Sequence, residues 1–105
     1  MREKSSYKYI NIRVDIVSYF NDNGLNKKLI PTLIEICNYV SLVNQEQQII
    51  LIKQIKEQMS KVLGIGIPEI DKHIKALKEA GILRHTDRSV YVVNSDFINI
   101  NFKEQ

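Results

Sequence analysis

The chain has 105 residues, a formal net charge of +3 and 44% hydrophobic residues, a composition that suits one small globular domain spanning residues 1–105. No apolar run approaches the roughly 18 residues of a transmembrane helix, and the first six residues lead into no signal-peptide core. We therefore expect a cytoplasmic protein without membrane contact. The single cysteine, Cys37, excludes an intramolecular disulfide and an all-cysteine metal site.

The first half of the chain predicts a strand, a turn and a helix. In residues 9–17 isoleucine or valine occupies positions 10, 12, 14 and 16, which is the two-residue period of a half-buried strand. Residues 20–26 contain Asn-Gly and predict a turn. Apolar residues at three- and four-residue spacing in residues 27–43 predict a helix. It should begin near Leu29 or Ile30, because Pro31 is tolerated only in the first turn.

The second half predicts a strand, then two helices joined by a tight turn. Residues 47–52 form a short apolar run of strand type, and Gly64 should end the helix that follows. Gly81 should stop the next helix. The residues expected on the buried faces of these two helices are Ile55, Met59, Val62 and Leu63 in the first, and Ile70, Ile74 and Leu77 in the second.

The end of the chain predicts a hairpin and a last strand. The segments ILRH and VYVVN are strands joined by a loop at residues 86–89, and alternation resumes at Ile98 and Ile100. Two helices joined by a Gly-containing turn form a helix-turn-helix, and a hairpin directly after them makes a winged helix. The predicted fold is α+β: a winged helix-turn-helix in the order strand, helix, strand, helix, turn, helix, β-hairpin wing, with extra terminal strands.

Several apolar and turn positions carry a resemblance to a known group. They are Leu63-Gly64-Ile65, Ile74 with Leu77, Gly81-Ile82-Leu83, and Val90-Tyr91 with Asn94 and Asp96. At these positions the chain resembles the winged-helix replication proteins of plasmids from low-GC Gram-positive bacteria. It is also similar in size and layout to small accessory proteins that bind the origin of transfer of conjugative plasmids. The resemblance implies a protein that binds double-stranded DNA at an origin region and works beside a relaxase or a replication complex.

Two sets of basic residues are the candidate DNA contacts. Lys72, Lys75 and Lys78 lie on the predicted exposed side of the last helix, and Arg84, His85 and Arg88 lie in or beside the wing. The lysines fit phosphate contacts, but they also fit a solvated face with an Asp71–Lys75 ion pair. A wing arginine can enter a minor groove or contact phosphates.

The last predicted helix begins with an unusual sequence for a recognition helix. It opens Gly66-Ile67-Pro68-Glu69, where the similar proteins usually have Ser, Arg or Thr. These residues start a helix well, since Gly can cap it, Pro suits its first turn and a carboxylate suits its positive end. However, Glu69 and Asp71 would face phosphates, and Ile67 offers no hydrogen bond to base edges. We therefore expect the wing to contribute more to DNA binding than the helix start.

Other chemistries find little support in the sequence. His73 and His85 have no partner at metal-ligand spacing, and we expect both at the surface. Cys37 lies on an apolar helix face, which favours packing over nucleophilic chemistry. No set of residues could carry out a reaction, so we expect neither an enzyme nor a cofactor. Tyr7, Tyr9 and Tyr19 favour core or dimer packing over stacking on bases.

The sequence leaves two alternative functions open, and it also predicts an assembly. The chain could be a transcriptional regulator, or a winged-helix module that binds proteins and avoids DNA. Apolar alternation in both terminal strands, whose edges would otherwise be unpaired, predicts a homodimer or tandem binding on DNA.

Overall fold

The computed structural model describes residues 6–104, with side chains for residues 10–100. Over this range the fold is α+β. Its elements are β1 (Ser6–Ile12), α1 (Ile16–Asp22), α2 (Leu29–Cys37), β2 (Ser41–Val43), β3 (Glu46–Ile50), α3 (Lys53–Leu63), α4 (Ile67–Glu79), β4 (Leu83–Asp87), β5 (Val90–Val93) and β6 (Ile98–Glu104). The strands form a two-stranded sheet, β1–β6, and a four-stranded sheet in the order β2-β3-β5-β4. The predicted winged helix-turn-helix with extra terminal strands is confirmed.

The strand predicted over residues 9–17 is too long, because a helix replaces its second half. β1 ends at Ile12, and the segment predicted as strand end and turn forms α1. The chain turns at Arg13, whose N–H donates to the Phe97 carbonyl at 3.0 Å. Val14 in this turn is fully exposed, whereas Phe20 in α1 is fully buried. The alternation is misleading because Ile16 begins a helical i,i+4 spacing to Phe20.

Arg13 and two aromatic rings hold this corner of the molecule. The Arg13 guanidinium makes two hydrogen bonds to the Asp15 carboxylate, at 2.7 and 2.9 Å, which lower the pKa of Asp15. It also lies 5.2 Å from the Tyr19 ring centroid and 5.1 Å from that of Phe97. The Tyr19 ring meets Phe97 edge-on at 4.9 Å, so Tyr19 has a packing role, as predicted. The side chains of Tyr7 and Tyr9 lie outside the described residues.

The helix predicted over residues 27–43 begins where expected and ends early. α2 starts at Leu29, keeps Pro31 in its first turn and stops at Cys37, which is fully buried as predicted. The chain then forms β2, a strand that the sequence pattern does not indicate. Asn44 and Gln45 have φ angles of +51° and +67°, which make a two-residue turn between β2 and β3. Asn-Gln is not the Asn-Gly pair that signals such a turn in a sequence.

The helix-turn-helix follows its prediction closely. Gly64 adopts the left-handed conformation with φ +72° and ends α3. Ile70, Ile74 and Leu77 of α4 are buried, as is Met59 of α3. The prediction that Val62 lies on the buried face of α3 is wrong, because this residue is 65% exposed. The reason is that α4 and the turn lie on another side of α3, where Lys56 pairs with Asp71 of α4 and Ser60 donates to the Ile65 carbonyl in the turn.

β4 and β5 form the wing, and β5 attaches it to β3. The predicted four-residue loop is shorter, since Thr86 and Asp87 belong to β4 and only residues 88–89 join the strands. Strand β4 is the outer edge of the sheet on this side. The wing turn and the β2–β3 turn point towards opposite ends of the sheet, because Ile50 pairs with Val90 whereas Val43 pairs with Glu46.

The terminal strands pair with each other, in antiparallel register from Ser6↔Glu104 to Ile12↔Ile98. Because the two terminal strands pair with each other, the prediction of a homodimer from their unpaired edges loses support. Gln47 of β3 ties the two sheets together in the core. Its side-chain nitrogen donates to the Val93 and Ile98 carbonyls at 3.1 and 3.0 Å, and its oxygen accepts from the Ile100 N–H at 2.7 Å. Among residues 6–104 no helix has the length and apolar character that a membrane span requires.

Candidate nucleic-acid interface

The exposed side of α4 carries the three predicted lysines. Lys72, Lys75 and Lys78 are exposed, and no described carboxylate lies within 4.0 Å of their ammonium groups. The Asp71–Lys75 pair considered from the sequence does not form. Instead, the Asp71 carboxylate lies 2.8 Å from the ammonium group of Lys56 on α3. These three lysines therefore form a positive surface whose charge is not offset by the ion pairs described.

A buried polar chain fixes the start of α4 against α2. The Thr32 hydroxyl lies 2.7 Å from His73 Nδ1, and His73 Nε2 lies 3.1 Å from the Glu69 carboxylate. With the proton on Nε2, the imidazole donates to Glu69 while Nδ1 accepts from Thr32. Every polar atom of this buried ring is then satisfied. The Glu69 carboxylate is consequently turned towards α2 and away from the row of lysines.

The prediction of a surface His73 is wrong, since the residue is only 8% exposed. A sequence signal for its burial exists, because position 73 follows Ile70 by three residues and falls within the buried helical stripe. What the sequence could not supply is Thr32, which lies 41 positions away. His73 is thus a structural residue of α4. Within the described residues, no group of three or more His, Cys, Asp or Glu side chains could hold a metal ion.

The structure separates the three wing residues by their contacts. Arg84, the second residue of β4, donates to the Glu46 carboxylate at 3.0 Å near the base of the wing. The His85 ring stacks on Tyr91 with centroids 4.5 Å apart, and its Nε2 contacts the Arg88 carbonyl. These contacts make His85 a residue that shapes the wing turn. Arg88 itself is exposed at the tip, and its side chain has no ion pair within the described range.

The site that results consists of a helix face and a wing tip. Lys72, Lys75 and Lys78 form what we call the α4 lysine row, and Arg88 is the exposed wing cation. Arg84 lies four residues before Arg88, about 13 Å from the tip at roughly 3.3 Å per strand residue. Its guanidinium is already engaged by Glu46. Helix ends and hairpins that carry unpaired cations are well suited to bind phosphates, and an arginine at a wing tip can also reach a groove.

Comparison with known protein families identifies a relationship over most of the chain. Residues 9–104 match the model of a family described as Firmicute plasmid replication protein (RepL). No curated protein and no solved structure matches the chain. The family match spans the helix-turn-helix, the wing, all of β6 and the second half of β1, and it confirms the resemblance to plasmid replication proteins of Gram-positive bacteria. The chain therefore belongs to the Firmicute plasmid replication protein family, RepL.

Proposed function

We propose that this plasmid replication protein binds double-stranded DNA in the origin region of its plasmid or mobile element, through the α4 lysine row and the wing. The observation that carries the proposal is the row itself: three exposed lysines on the helix that follows the turn, none of which pairs with a carboxylate among the described side chains of residues 10–100. The family supports a role in replication ahead of conjugative transfer or transcriptional regulation.

The two surfaces would have different tasks. Lysines on a helix face act as point charges, which suits sequence-independent phosphate contact. Arg88 offers a planar donor group at the end of a hairpin, which suits a narrow minor groove or a phosphate clamp. The wing is therefore the better candidate for sequence preference, as the opening residues of α4 already suggest. Glu69 and Asp71 oppose phosphates less than their sequence positions imply, because one contacts His73 and the other Lys56.

The wider setting of the activity is also part of the proposal. The protein would act in the cytoplasm, by binding alone and without catalysis or a cofactor. It would occupy the origin as a homodimer or as tandem copies, and a replication complex would be its protein partner. A relaxase would take that place if the plasmid used the protein for transfer.

Salt-dependent binding tests the proposal directly. Fluorescence anisotropy is measured with an origin duplex, a scrambled duplex and a single strand, each over a range of salt concentrations. Replacing all three lysines of the row by alanine should lower the slope of log affinity against log salt by about 3, since each phosphate contact contributes roughly 0.9. Lys27→Ala is the matched control, because Lys27 precedes α2, which packs against another side of α4.

Two results would contradict the proposal. Tighter binding to the single strand than to duplex would exclude groove docking by a winged helix. An affinity for duplex that does not change with salt would exclude phosphate contact, and would favour a module that binds proteins.

A further inference from the structure

The turn of the wing holds both backbone polar groups of Arg88. The Arg88 N–H donates to the Asp87 carboxylate at 2.9 Å, and the Arg88 carbonyl contacts Nε2 of His85. A carbonyl oxygen can only accept, so Nε2 carries the proton in this contact. The Arg88 guanidinium is exposed and makes no ion pair with the described side chains of residues 10–100. The backbone of this residue is therefore fixed, while its charged group remains accessible.

The imidazole ring of His85 is itself held in place by the opposite strand. His85 pairs with Tyr91 across the β4–β5 ladder, and their rings stack with centroids 4.5 Å apart and planes 10° from parallel. Between His85 and Asp87 the register of the ladder shifts. A bulge of this kind bends a strand and changes the direction of the side chains beside it. The ring stack and the bulge together set the position from which Nε2 reaches the turn.

The rest of the turn is attached to both neighbouring strands. The Ser89 carbonyl accepts from the N–H of Leu51, a buried residue directly after β3, at 2.8 Å. The Thr86 hydroxyl donates to the Val90 carbonyl at 3.3 Å. Exposed loop tips are usually among the most mobile parts of a protein. These contacts favour a single conformation at the tip of this wing.

We propose that His85 is a positioning residue of the wing, which holds the Arg88 backbone so that the guanidinium meets DNA in one fixed geometry. The effect on sequence preference rests on the proposed function. A contact with a base edge or a narrow groove requires a defined geometry, whereas a phosphate can be contacted from many positions. Preorganisation also reduces the conformational entropy that is lost on binding. His85 acts through Arg88 and makes no DNA contact of its own.

Three substitutions separate the two features of the His85 side chain. His85→Phe keeps an aromatic ring to stack on Tyr91 and removes the N–H donor, His85→Gln keeps an N–H donor and removes the ring, and His85→Ala removes both. The preference for an origin duplex over a scrambled duplex, measured by anisotropy, should fall about two- to tenfold in the alanine and phenylalanine variants, which corresponds to the loss of one hydrogen bond. The glutamine variant should keep most of the preference.

Thr86→Val is the matched control within the wing. It removes the hydrogen bond to the Val90 carbonyl and leaves the backbone contacts of Arg88 in place, so it should keep the preference for the origin duplex. Thermal melts check that every variant folds. A loss of preference in Thr86→Val equal to that in His85→Ala would mean that any weakening of the wing has the same effect, and it would overturn the positioning role.

A double-mutant cycle shows whether His85 acts through Arg88. The double variant His85→Ala with Arg88→Ala should show the same preference as Arg88→Ala alone, because no guanidinium is left to position. If the two losses multiply, His85 contributes to DNA recognition independently of Arg88 and the proposal is wrong. An unchanged preference in His85→Ala would also overturn it.

Backbone dynamics provide a readout that does not depend on DNA. The NMR order parameter of the Arg88 amide should be about 0.8 or higher in the free wild-type protein and below about 0.6 in His85→Ala. A low order parameter in the wild-type protein would contradict a fixed turn. If the wild-type protein binds no duplex, the proposed function is wrong, and the order parameters still decide whether His85 holds the Arg88 backbone.

Discussion

The ammonium group of Lys56 and the carboxylate of Asp71 lie 2.8 Å apart and join the two helices of the helix-turn-helix. The sequence suggested that Asp71 would repel phosphates at the start of α4. The contact with α3 instead gives this acid a local counter-charge, so the net charge of the pair is zero. Lys56 thus offsets the negative charge of Asp71 near the start of α4.

Changing either partner of this pair should move DNA affinity in opposite directions. Lys56→Ala leaves Asp71 unshielded and should weaken binding to all duplexes severalfold. Asp71→Asn leaves Lys56 as an extra cation and should strengthen it by a similar factor, with a steeper salt dependence. The double variant restores zero net charge and should bind almost as the wild type does. Anisotropy at two salt concentrations measures this, with Asp22→Asn on α1 as the control for net charge.

Stability gives an independent check on the same pair. Asp71 is about half exposed, so the ion pair should contribute less than about 1 kcal/mol to the free energy of unfolding. Loss of DNA affinity in Lys56→Ala that tracked a large loss of stability would mean that the pair acts by holding the helices together. Equal affinities in all three variants would mean that α4 does not approach phosphates at this end.

The two wing arginines should behave differently when each is replaced by alanine. Arg88→Ala should reduce the preference for the origin duplex over a scrambled one, because losing a base or groove contact costs about 1–3 kcal/mol and relaxes specificity. Arg84→Ala should have a smaller effect, since Arg84 is already engaged by Glu46. Lys72→Ala and Lys75→Ala should weaken both duplexes alike. If the lysine changes abolish the preference for the origin duplex and Arg88→Ala preserves it, α4 and not the wing makes the sequence-specific contacts.

The helix-turn-helix and the wing could be predicted because their signals are local. Gly64 ends α3, and Ile70, Ile74 and Leu77 mark one face of α4 within eight positions of the chain. The contacts that define the site could not be predicted, because they join distant positions. Thr32 meets His73 across 41 positions and Glu46 meets Arg84 across 38. Such pairings depend on how the elements pack, and no local spacing encodes them.

The same reason explains why the sequence did not predict α1 and β2. α1 is short and owes its burial to Phe20, which packs in the core against residues from later elements. β2 has three residues, all exposed, so no alternation of buried and exposed positions marks it. Short elements of this kind are stabilised by tertiary packing more than by their own propensities.

Gln47 should be among the most sensitive polar positions in the core. Its side chain makes three hydrogen bonds to backbone groups of β5 and β6, and it is only 5% exposed. Gln47→Leu would leave the Ile100 N–H and two carbonyls without these partners, at a cost of about 2–4 kcal/mol. Urea denaturation measures the loss, with Gln48→Leu on the other face of β3 as the matched control. Similar losses in both variants would indicate a general strand effect and no specific role for the Gln47 amide.

The turn between β2 and β3 offers a change that should stabilise the protein. Gln45 has a φ angle of +67°, a left-handed conformation in which a side chain is strained by roughly 1–2 kcal/mol and glycine is not. Gln45→Gly should therefore raise the free energy of unfolding by about 0.5–1 kcal/mol, after the entropy that glycine adds to the unfolded chain is subtracted. Gln45→Ala removes the same side-chain atoms beyond Cβ but keeps the strain, so it should give no gain. Asn44→Gly should give less than Gln45→Gly, since asparagine tolerates this conformation. Urea denaturation of the three variants ranks them, and a gain from alanine equal to that from glycine would show that the side chain of Gln45, and not its backbone, limits the turn.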